Sequence, residues 1–329
     1  MMKRLTFSLL KIIGISSLLR FQKKNTLTVL SLHRVSNDKD YFWNPITPGT
    51  FEKLLQYVTK YYSVTSFENI SQLKENHYSS KPYLILSFDD GYYDFYEHAL
   101  PLLRKYNLAS NHNIVNDCAT HNQIIWTQRL NAIFNYCKEN RIDLSFLFNG
   151  KKISFQSHNG NWLKFYLEMY NLLLKISKVE RLEILAEKEQ EYSISPVCKM
   201  MNWEQVIECS ESQVEIGCHT YAHDVLSTIT DASILHKEII QSAIEIEKKV
   251  GKKCKVLALP NGEGNEKIEE IVESSGLKYV LYVDDKINNF SHLKGNSMKD
   301  IYRINLVEES IVEMIFRIEL FHTKIRKYV

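Results

Sequence analysis

The sequence lacks the features that identify several classes of protein. Its six cysteines include no Cys-x-x-Cys pair and do not resemble a disulfide framework, so we expect reduced thiols and a reducing compartment. The formal net charge is +2, and no basic stripe with interleaved aromatic residues indicates a nucleic-acid partner. Neither an internal repeat nor a low-complexity linker is present. The chain is a globular sequence of 329 residues, enough for one large α/β domain or two ordinary ones.

A long hydrophobic run is also absent. The N-terminal segment, residues 1–24, has early positive charge and apolar stretches, but Lys11 interrupts them. The uninterrupted piece from Ile12 to Leu19 is far shorter than the ~20 residues that span a bilayer, and no small-residue cleavage site follows it. A secretory signal, a basic amphipathic helix on a membrane surface and a helix packed on the domain all stay open. We expect a cytoplasmic protein that can lie at the inner face of the membrane, with export as the alternative.

Strands and helices alternate along most of the sequence. Apolar and β-branched runs typical of buried strands begin at Thr26 and Tyr83, and segments with helical spacing of apolar residues follow them. This alternation favours a largely parallel sheet or a barrel. From about 120 to 200 the pattern changes to amphipathic helices and two strands joined by a turn at Asn149-Gly150. We interpret this stretch as a helical insertion.

Two adjacent carboxylates, Asp89 and Asp90, come directly after the buried run that begins at Tyr83. Sites in parallel α/β folds form at the carboxyl ends of strands, and Gly91 would let both side chains reach one pocket. Two bare carboxylates repel, and a divalent cation on one of them removes that problem. Taken alone, however, the pair favours a structural interpretation, in which one acid caps a helix and the other is solvated.

A second polar feature follows another strand-like run. His219 and His223 are four residues apart, and on a helical turn their side chains would lie on one face. Two imidazoles on one face are a common way to hold a transition metal, although two structural histidines would look the same. One carboxylate and two imidazoles from two strand ends are stronger evidence. Three protein ligands leave coordination positions open, as in catalytic sites.

The sequence resembles the polysaccharide deacetylases, the NodB-like group of carbohydrate esterase family four. The resemblance covers about Thr26 to Leu306. "SFDDG" is similar to the first family motif T-F-D-D-G, "HTYAH" to the second motif H-[ST]-x-x-H, and "LALPNG" to a form of the third. "SLHRV" and "IYRINL" resemble the first and late strands of one branch. The resemblance implies a distorted parallel (β/α) barrel of about seven strands over residues 25–329, with the helical insertion at about 120–200.

The resemblance also implies roles for individual residues. Asp89 would be the general base that takes a proton from the attacking water, and Asp90, His219 and His223 would be the metal ligands. Zinc is the expected ion, although other divalent ions serve in the family. The backbone N–H of Asn261 matches the position that assists the oxyanion, and only the backbone is needed there.

Two family residues have no direct counterpart in this sequence. The arginine that orients the base is missing from the third motif, and Arg303 is our candidate to replace it, with an exposed strand-end arginine as the alternative. The Leu-His motif that supplies the general acid is also missing. We choose His33 as its substitute, to protonate the leaving amine or to stabilise the oxyanion as imidazolium, with a structural histidine as the alternative. His112 and Asn113 could line the pocket or simply belong to a strand.

We therefore predict a metal-dependent hydrolase that removes acetyl groups from N-acetylated sugars of a polysaccharide or glycan precursor, such as a bacterial cell-surface polysaccharide. A glycosidase with paired carboxylates is one alternative, and a non-catalytic glycan-binding protein on the same barrel is another. The expected partner is the acetylated sugar, with no nucleic acid and with peripheral membrane contact through residues 1–24 left open.

Overall fold

The structure is a computed structural model that describes residues 15–23, 26–72, 80–148, 150–158, 160–196, 198–293 and 299–321. Residues 1–14 and 24 of the N-terminal segment, and Asn149 of the predicted turn, lie outside the described residues. Within the described ranges, no helix combines the length and the apolar character that a membrane crossing needs.

The predicted alternation of strands and helices is present. The strands in chain order are β1 (Thr26–Leu32), β2 (Ser63–Val64), β3 (Tyr83–Phe88), β4 (Ser110–Ile114), β5 (Leu144–Phe148), β6 (Lys151–Phe155), β7 (Val214–Cys218), β8 (Val256–Ala258), β9 (Tyr279–Val283), β10 (Asn288–Asn289) and β11 (Lys299–Asn305). The α-helices are α1 (Ile15–Phe21), α2 (Pro48–Tyr61), α3 (Phe67–Gln72), α4 (Leu100–Tyr106), α5 (Asn116–His121), α6 (Trp126–Asn140), α7 (Trp162–Lys175), α8 (Lys178–Glu191), α9 (Trp203–Glu211), α10 (Ala232–His236), α11 (Ser242–Val250), α12 (Glu266–Glu273) and α13 (Ile311–Ile318). Short π-helical segments, Phe95–Ala99 and Lys237–Gln241, precede α4 and α11.

Seven strands close into a parallel barrel. Their order around the ring is β1, β11, β9, β8, β7, β4 and β3, and β3 pairs back onto β1 from Leu27 opposite Tyr83 to Leu32 opposite Phe88. The short strand β10 adds antiparallel to β1, and β2 adds parallel to β3. The prediction of a parallel (β/α) barrel of about seven strands is therefore confirmed.

The barrel is uneven around its ring. Strand β8 has only three residues, and it pairs with β7 at a single position, Cys218 opposite Leu257. The pairing between β1 and β3 instead runs through six positions. This weak join explains the distortion that the family resemblance implied.

The interior of the barrel changes from apolar to polar along its strands. The apolar level lies toward the strand starts and includes Leu27, Val29, Ile85, Val256, Leu281 and Ile301. Two residues further along, Ile85 is followed by Ser87 and Ile301 by Arg303, on the same face because side chains alternate along a strand. Arg303 Nη1 lies 3.4 Å from Ser87 Oγ, which places both side chains inside the ring. The polar level therefore lies directly below the carboxyl ends of the strands.

Helix α2 shows how the outer layer is specified. Thr47 caps it by accepting the N–H of Thr50, and Pro48 occupies the first turn, where no helical hydrogen bond is lost. Its buried face carries apolar residues at helical spacing and packs in the main core outside the barrel. These residues are Phe51, Leu54, Leu55 and Val58.

A second compact unit consists of residues 38–44 and 123–200. It contains the helices α6, α7 and α8 and the hairpin of β5 and β6, which pair from Leu144 opposite Phe155 to Phe148 opposite Lys151. Its core surrounds Phe134, whose ring centroid lies 5.4 Å from that of Phe42. The helices and the hairpin predicted from the sequence are thus present, and residues 38–44 join them.

Helix α1 and the turn after it pack on the barrel unit through the basic residues Arg20 and Lys23. Arg20 donates to the hydroxyl of Tyr57 at 2.9 Å, and its guanidinium lies 3.9 Å from the ring centroid of Tyr61. The buried Nζ of Lys23 donates to the carbonyl of Ile318. The opposite face of the helix leaves Leu18 and Phe21 exposed.

Candidate active site

The two adjacent aspartates leave β3 through a turn that separates their side chains. The N–H of Asp89 donates to the carbonyl of Leu32 at 3.0 Å, which continues the pairing with β1 by one residue. Asp90 then adopts φ 79° and Gly91 φ 88°, both in the left-handed region, which glycine enters without strain. Both carboxylates are buried, with 2% of each residue exposed. The turn therefore directs two neighbouring acids into different surroundings.

The two histidines lie in an irregular loop after β7. The prediction that they sit on a helical turn is wrong, because Thr220 and His223 adopt φ values of 65° and 58°, which interrupt any helix. The N–H of His223 donates instead to Oγ1 of Thr220 at 3.0 Å. A loop of this shape still brings both imidazoles to one place, with ring centroids 4.9 Å apart.

Asp90, His219 and His223 form one cluster. Oδ1 of Asp90 lies 3.2 Å from Nε2 of His219 and 3.3 Å from Nε2 of His223. One carboxylate oxygen and two ring nitrogens, all within 4.8 Å of one another, are a donor set that fits a divalent transition metal. Within the described residues, the buried Oδ1 of Asp90 has no hydrogen-bond partner of acceptable geometry. The residues present therefore fit the metal that the family resemblance implies.

A backbone contact fixes the ring of His219. Its Nδ1 lies 2.9 Å from the carbonyl oxygen of Ala258, so Nδ1 carries a proton and donates to that carbonyl, while Nε2 faces Asp90. Ala258 is the last residue of β8, and Asn261 follows three residues later in the turn Pro260–Gly262 with φ 62°. The turn that carries the backbone N–H of Asn261 is thus anchored next to His219.

Glu238 supports the loop of the two histidines through two hydrogen bonds. The N–H of Tyr221 donates to the backbone carbonyl of Glu238 at 3.1 Å, and the N–H of Ala222 donates to its Oε2 at 2.9 Å. Glu238 is 3% exposed and lies in the π-helical segment Lys237–Gln241. Such segments widen a helix by one residue and are frequent near functional sites. Our sequence analysis did not identify Glu238, because no motif marks a π-helical turn.

Asp89 has a different environment, made of hydrogen-bond donors. Arg303 Nη1 lies 2.8 Å from both Oδ1 and Oδ2, and Nδ2 of Asn113 donates to Oδ1 at 2.8 Å. Nε2 of His33 lies 3.9 Å from Oδ2. Arg303 is fully buried, so the alternative of an exposed strand-end arginine is wrong. The structure thus brings Arg303 and His33 to the carboxylate that the sequence analysis proposed as the base.

The charges in the site favour ionised carboxylates. Burial raises the pKa of Asp89, but the positive charge of Arg303 above all lowers it further, to about 2. Burial likewise opposes ionisation of Asp90, and the imidazoles of His219 and His223 bring its pKa well below the usual value. Both acids are therefore negatively charged at neutral pH.

His33 has the opposite tendency. Burial lowers the pKa of its imidazole below 6.5, although the carboxylates of Asp90 and Asp89 partly oppose this effect. The neutral imidazole is then the resting form. In that form it can accept a proton near Asp89, which differs from the imidazolium that we expected.

The two undecided residues of β4 face opposite ways. His112 packs outward against Phe95, with ring centroids 4.2 Å apart, so it belongs to the core. Asn113 points into the barrel and contacts Asp89, a role that the sequence analysis did not assign. The polar residues at 111 and 113 of an otherwise buried strand were the available signal, since alternate residues share a face.

The fold and the site define a parallel (β/α) barrel whose polar cluster lies beyond the carboxyl ends of its strands. Residues 116–280, half of the chain, match the family model "Polysaccharide deacetylase". The chain therefore belongs to the polysaccharide deacetylase family and is an enzyme of the carbohydrate deacetylase class. The matched range includes His219, His223 and Asn261, while Asp89 and Asp90 precede it. No curated protein matches the chain in sequence.

Several solved structures share the fold at low sequence identity. The deacetylase PplD of Streptococcus pyogenes, solved in complex with acetate, superposes with a TM-score of 0.57 at 16% identity, over 91% of this chain and 98% of that one. IcaB from Ammonifex degensii superposes with a TM-score of 0.53 at 16% identity, over 90% of this chain and 98% of that one. A de-N-acetylase from Aggregatibacter actinomycetemcomitans superposes with a TM-score of 0.52 at 18% identity, over 88% of this chain and 99% of that one. These superpositions thus cover about nine-tenths of this chain and nearly the whole of each of the three solved chains.

Proposed function

We propose that the chain removes acetyl groups from N-acetylated sugars of a polysaccharide or glycan precursor, with a divalent metal held by Asp90, His219 and His223 and with Asp89 as general base. One observation carries the proposal. Two adjacent acids have different partners, imidazoles for Asp90 and hydrogen-bond donors for Asp89. The imidazole partners suit a role of Asp90 as metal ligand. The hydrogen-bond donors suit a carboxylate, Asp89, that does not bind the metal and can accept a proton.

Zinc is the metal that we propose. Two imidazole nitrogens and one carboxylate oxygen are a ligand set known from catalytic zinc sites, in which a fourth position stays open. When bound, such an ion supplies a Lewis acid that polarises a carbonyl and lowers the pKa of a water. Asp90 Oδ1 and the two Nε2 atoms face each other and are the atoms that would hold it.

The residues of the chain account for the remaining steps of an amide hydrolysis. Asp89 accepts a proton from the attacking water as its oxygen bonds to the acetyl carbon. The backbone N–H of Asn261 is our candidate donor to the resulting oxyanion. When the C–N bond breaks, the proton taken by Asp89 passes to the leaving amine. His33, 3.9 Å from Asp89 and neutral at rest, can carry that proton. The products are acetate and a free amino sugar.

The fold neighbours support the choice of substrate class. One of them is described as a deacetylase in complex with acetate and another as a de-N-acetylase. We extend the N-acetyl specificity to this chain, and a cell-surface polysaccharide or its precursor is the substrate that we propose.

Acetate release tests the proposal directly. Purified protein loaded with zinc is incubated with N-acetylated oligosaccharides, with and without a chelator, and acetate, free amines and reducing ends are measured. Equal amounts of acetate and amine, lost with the chelator, are the expected result. New reducing ends would support a glycosidase instead, and a metal-loaded protein inactive on every acetylated glycan would support the non-catalytic alternative.

We also propose that helix α1 contacts a membrane surface at the inner face of the membrane. Residues 1–24 contain several basic residues and no acidic residue, and Leu18 and Phe21 are 63% and 65% exposed on a helix whose other face is packed. Exposed apolar side chains in a segment with a net positive charge suit an anionic lipid surface. Co-sedimentation with vesicles of anionic phospholipid should decrease in the variant Leu18→Asn/Phe21→Asn, and unchanged binding would contradict the proposal.

A further inference from the structure

Three polar side chains inside the barrel form a hydrogen-bonded ladder below Asp89. Ser87 Oγ donates to Oδ1 of Asn111 at 2.7 Å, and Nδ2 of Asn111 donates to Oδ1 of Asn113 at 3.1 Å. Nδ2 of Asn111 also donates to the carbonyl of Glu215 at 3.1 Å. All three side chains are fully buried, so their hydrogen bonds do not compete with bulk water.

The ladder determines which way the amide of Asn113 points. Because Oδ1 of Asn113 accepts from Asn111, its Nδ2 must face the other way, toward Oδ1 of Asp89 at 2.8 Å. The hydroxyl of Ser87 donates its hydrogen to Asn111. Its oxygen can therefore only accept from Asn113, whose Nδ2 lies 3.2 Å away. A flipped amide would place two oxygens against each other at Asp89. The ladder therefore presents a donor, and not an acceptor, to the carboxylate.

Gly217 on the neighbouring strand β7 makes room for this amide. A Cβ atom at Gly217 would lie 2.2 Å from Oδ1 of Asn113 and 3.1 Å from Nδ2 of Asn111. At 2.2 Å the added Cβ would overlap severely with the side chain of Asn113, which hydrogen bonds to Asn111 and Asp89 hold in place. Gly217 does not adopt a positive φ, so glycine is not required here for its backbone freedom. It is required because it leaves space for the side chain of Asn113.

We propose that Asn113 is a positioning residue for Asp89, oriented by Asn111 and accommodated by Gly217. It holds the carboxylate at the orientation set jointly with Arg303, and its N–H stabilises the ionised form that accepts a proton. This inference rests on the proposed function, because Asp89 needs positioning only if it acts as the base. The same contact must also affect folding stability, which makes it testable apart from activity.

The first test is a stability cycle on the metal-free protein. Asn113→Asp places two carboxylates in contact and should lower the midpoint of thermal unfolding at pH 7. The exchange Asp89→Asn/Asn113→Asp restores one amide and one carboxylate and should recover much of that loss. Additive effects of the two substitutions would show that the side chains do not interact, and would overturn the proposal.

The second test is kinetic and uses His112→Phe as the matched control, since that neighbour faces the outer core. Asn113→Leu and Gly217→Ala should each lower kcat about 10²-fold, with KM and zinc content unchanged, because a misplaced base costs about that much. The control should keep the wild-type kcat. If Asn113→Leu loses only stability while its kcat per folded molecule stays normal, Asn113 is merely structural and the proposal fails.

The two tests separate this inference from the proposed function. A wild-type protein that releases no acetate from any glycan would refute the proposed function. A positive stability cycle would then still show that Asn113 holds Asp89, and a negative one would refute both. An active wild type with an additive cycle would refute the role of Asn113 alone.

Discussion

Arg303 and Asp89 are 214 residues apart in the chain, yet Nη1 of the arginine lies 2.8 Å from both oxygens of the carboxylate. Both residues are almost fully buried. Their strands β11 and β3 lie on either side of β1, so the contact depends on closure of the barrel. A fully buried ion pair adds little net stability over apolar packing, but the loss of one partner is costly. The pair is therefore best understood as part of the site.

The first prediction concerns this pair. Arg303→Met leaves the Asp89 carboxylate buried without its cation, which should cost about 3–5 kcal/mol of unfolding free energy. It should also lower kcat by about 10²-fold or more, the typical contribution of a general base. Arg303→Lys restores the charge but not the planar guanidinium and should recover stability more than activity. Urea unfolding and acetate-release kinetics measure both effects, and a Met variant with normal kcat would contradict the assignment.

The second prediction concerns the metal. Asp90→Ala and His219→Ala each remove one of the three converging ligand atoms. Purified wild-type protein should contain about one zinc per chain, and each variant should lose it, because three protein ligands are the minimum of such sites. His121→Ala is the matched control, since His121 is exposed and is not one of the three clustered residues. Full zinc occupancy in both site variants would contradict the assignment of the ligands.

The chain order of the motifs predicted which residues meet, but not the shape of the segments that carry them. Asp89, Asp90, His219 and His223 follow strands of one parallel sheet, whose carboxyl ends share an edge, so their proximity followed from the fold class. The loop of the two histidines was predicted as a helical turn, although left-handed conformations at Thr220 and His223 shape it. The loop is also held by Glu238 in the π-helical segment that follows it, a contact that the spacing of the two histidines does not reveal.

The surroundings of Asp89 were harder to predict than the ligands. Asn113 and Arg303 reach it across the barrel interior, and which residues share that interior depends on strand register. Arg303 became a candidate only through the family resemblance. The polar residues Asn111 and Asn113 were visible in the sequence, but alternation alone does not tell which face of a strand is inward.

The third prediction concerns Glu238, which braces the loop of the two histidines. Glu238→Ala removes the acceptor of the Ala222 N–H and should weaken zinc affinity by about 10–100-fold, the usual cost of losing a residue that supports the metal ligands. Glu238→Gln keeps an acceptor oxygen and should weaken it less. Competition with a chromophoric chelator measures the affinity. Equal affinity of the Ala variant and the wild type would show that the loop keeps its shape without this contact.

The last prediction concerns stability at acid pH. Burial against the aromatic core lowers the pKa of His112 to about 4 from 6.5, although the nearby Asp89 carboxylate partly opposes this effect. Between these values the unfolded chain binds a proton at His112 that the folded chain does not. The contribution of His112 to the free energy of unfolding is therefore fully present above pH 6.5. It is lost as the pH falls, and the loss at pH 4 is about 3 kcal/mol.

His112→Phe removes this titration and keeps an aromatic ring beside Phe95 and Phe88. Urea unfolding of metal-free protein from pH 7.5 to 4.5 should therefore show a shallower loss of stability in the variant than in the wild type. Every other titratable group is the same in both proteins, so the difference between the two curves isolates His112. Parallel curves over this range would mean that His112 is protonated in the folded protein as readily as in the unfolded chain.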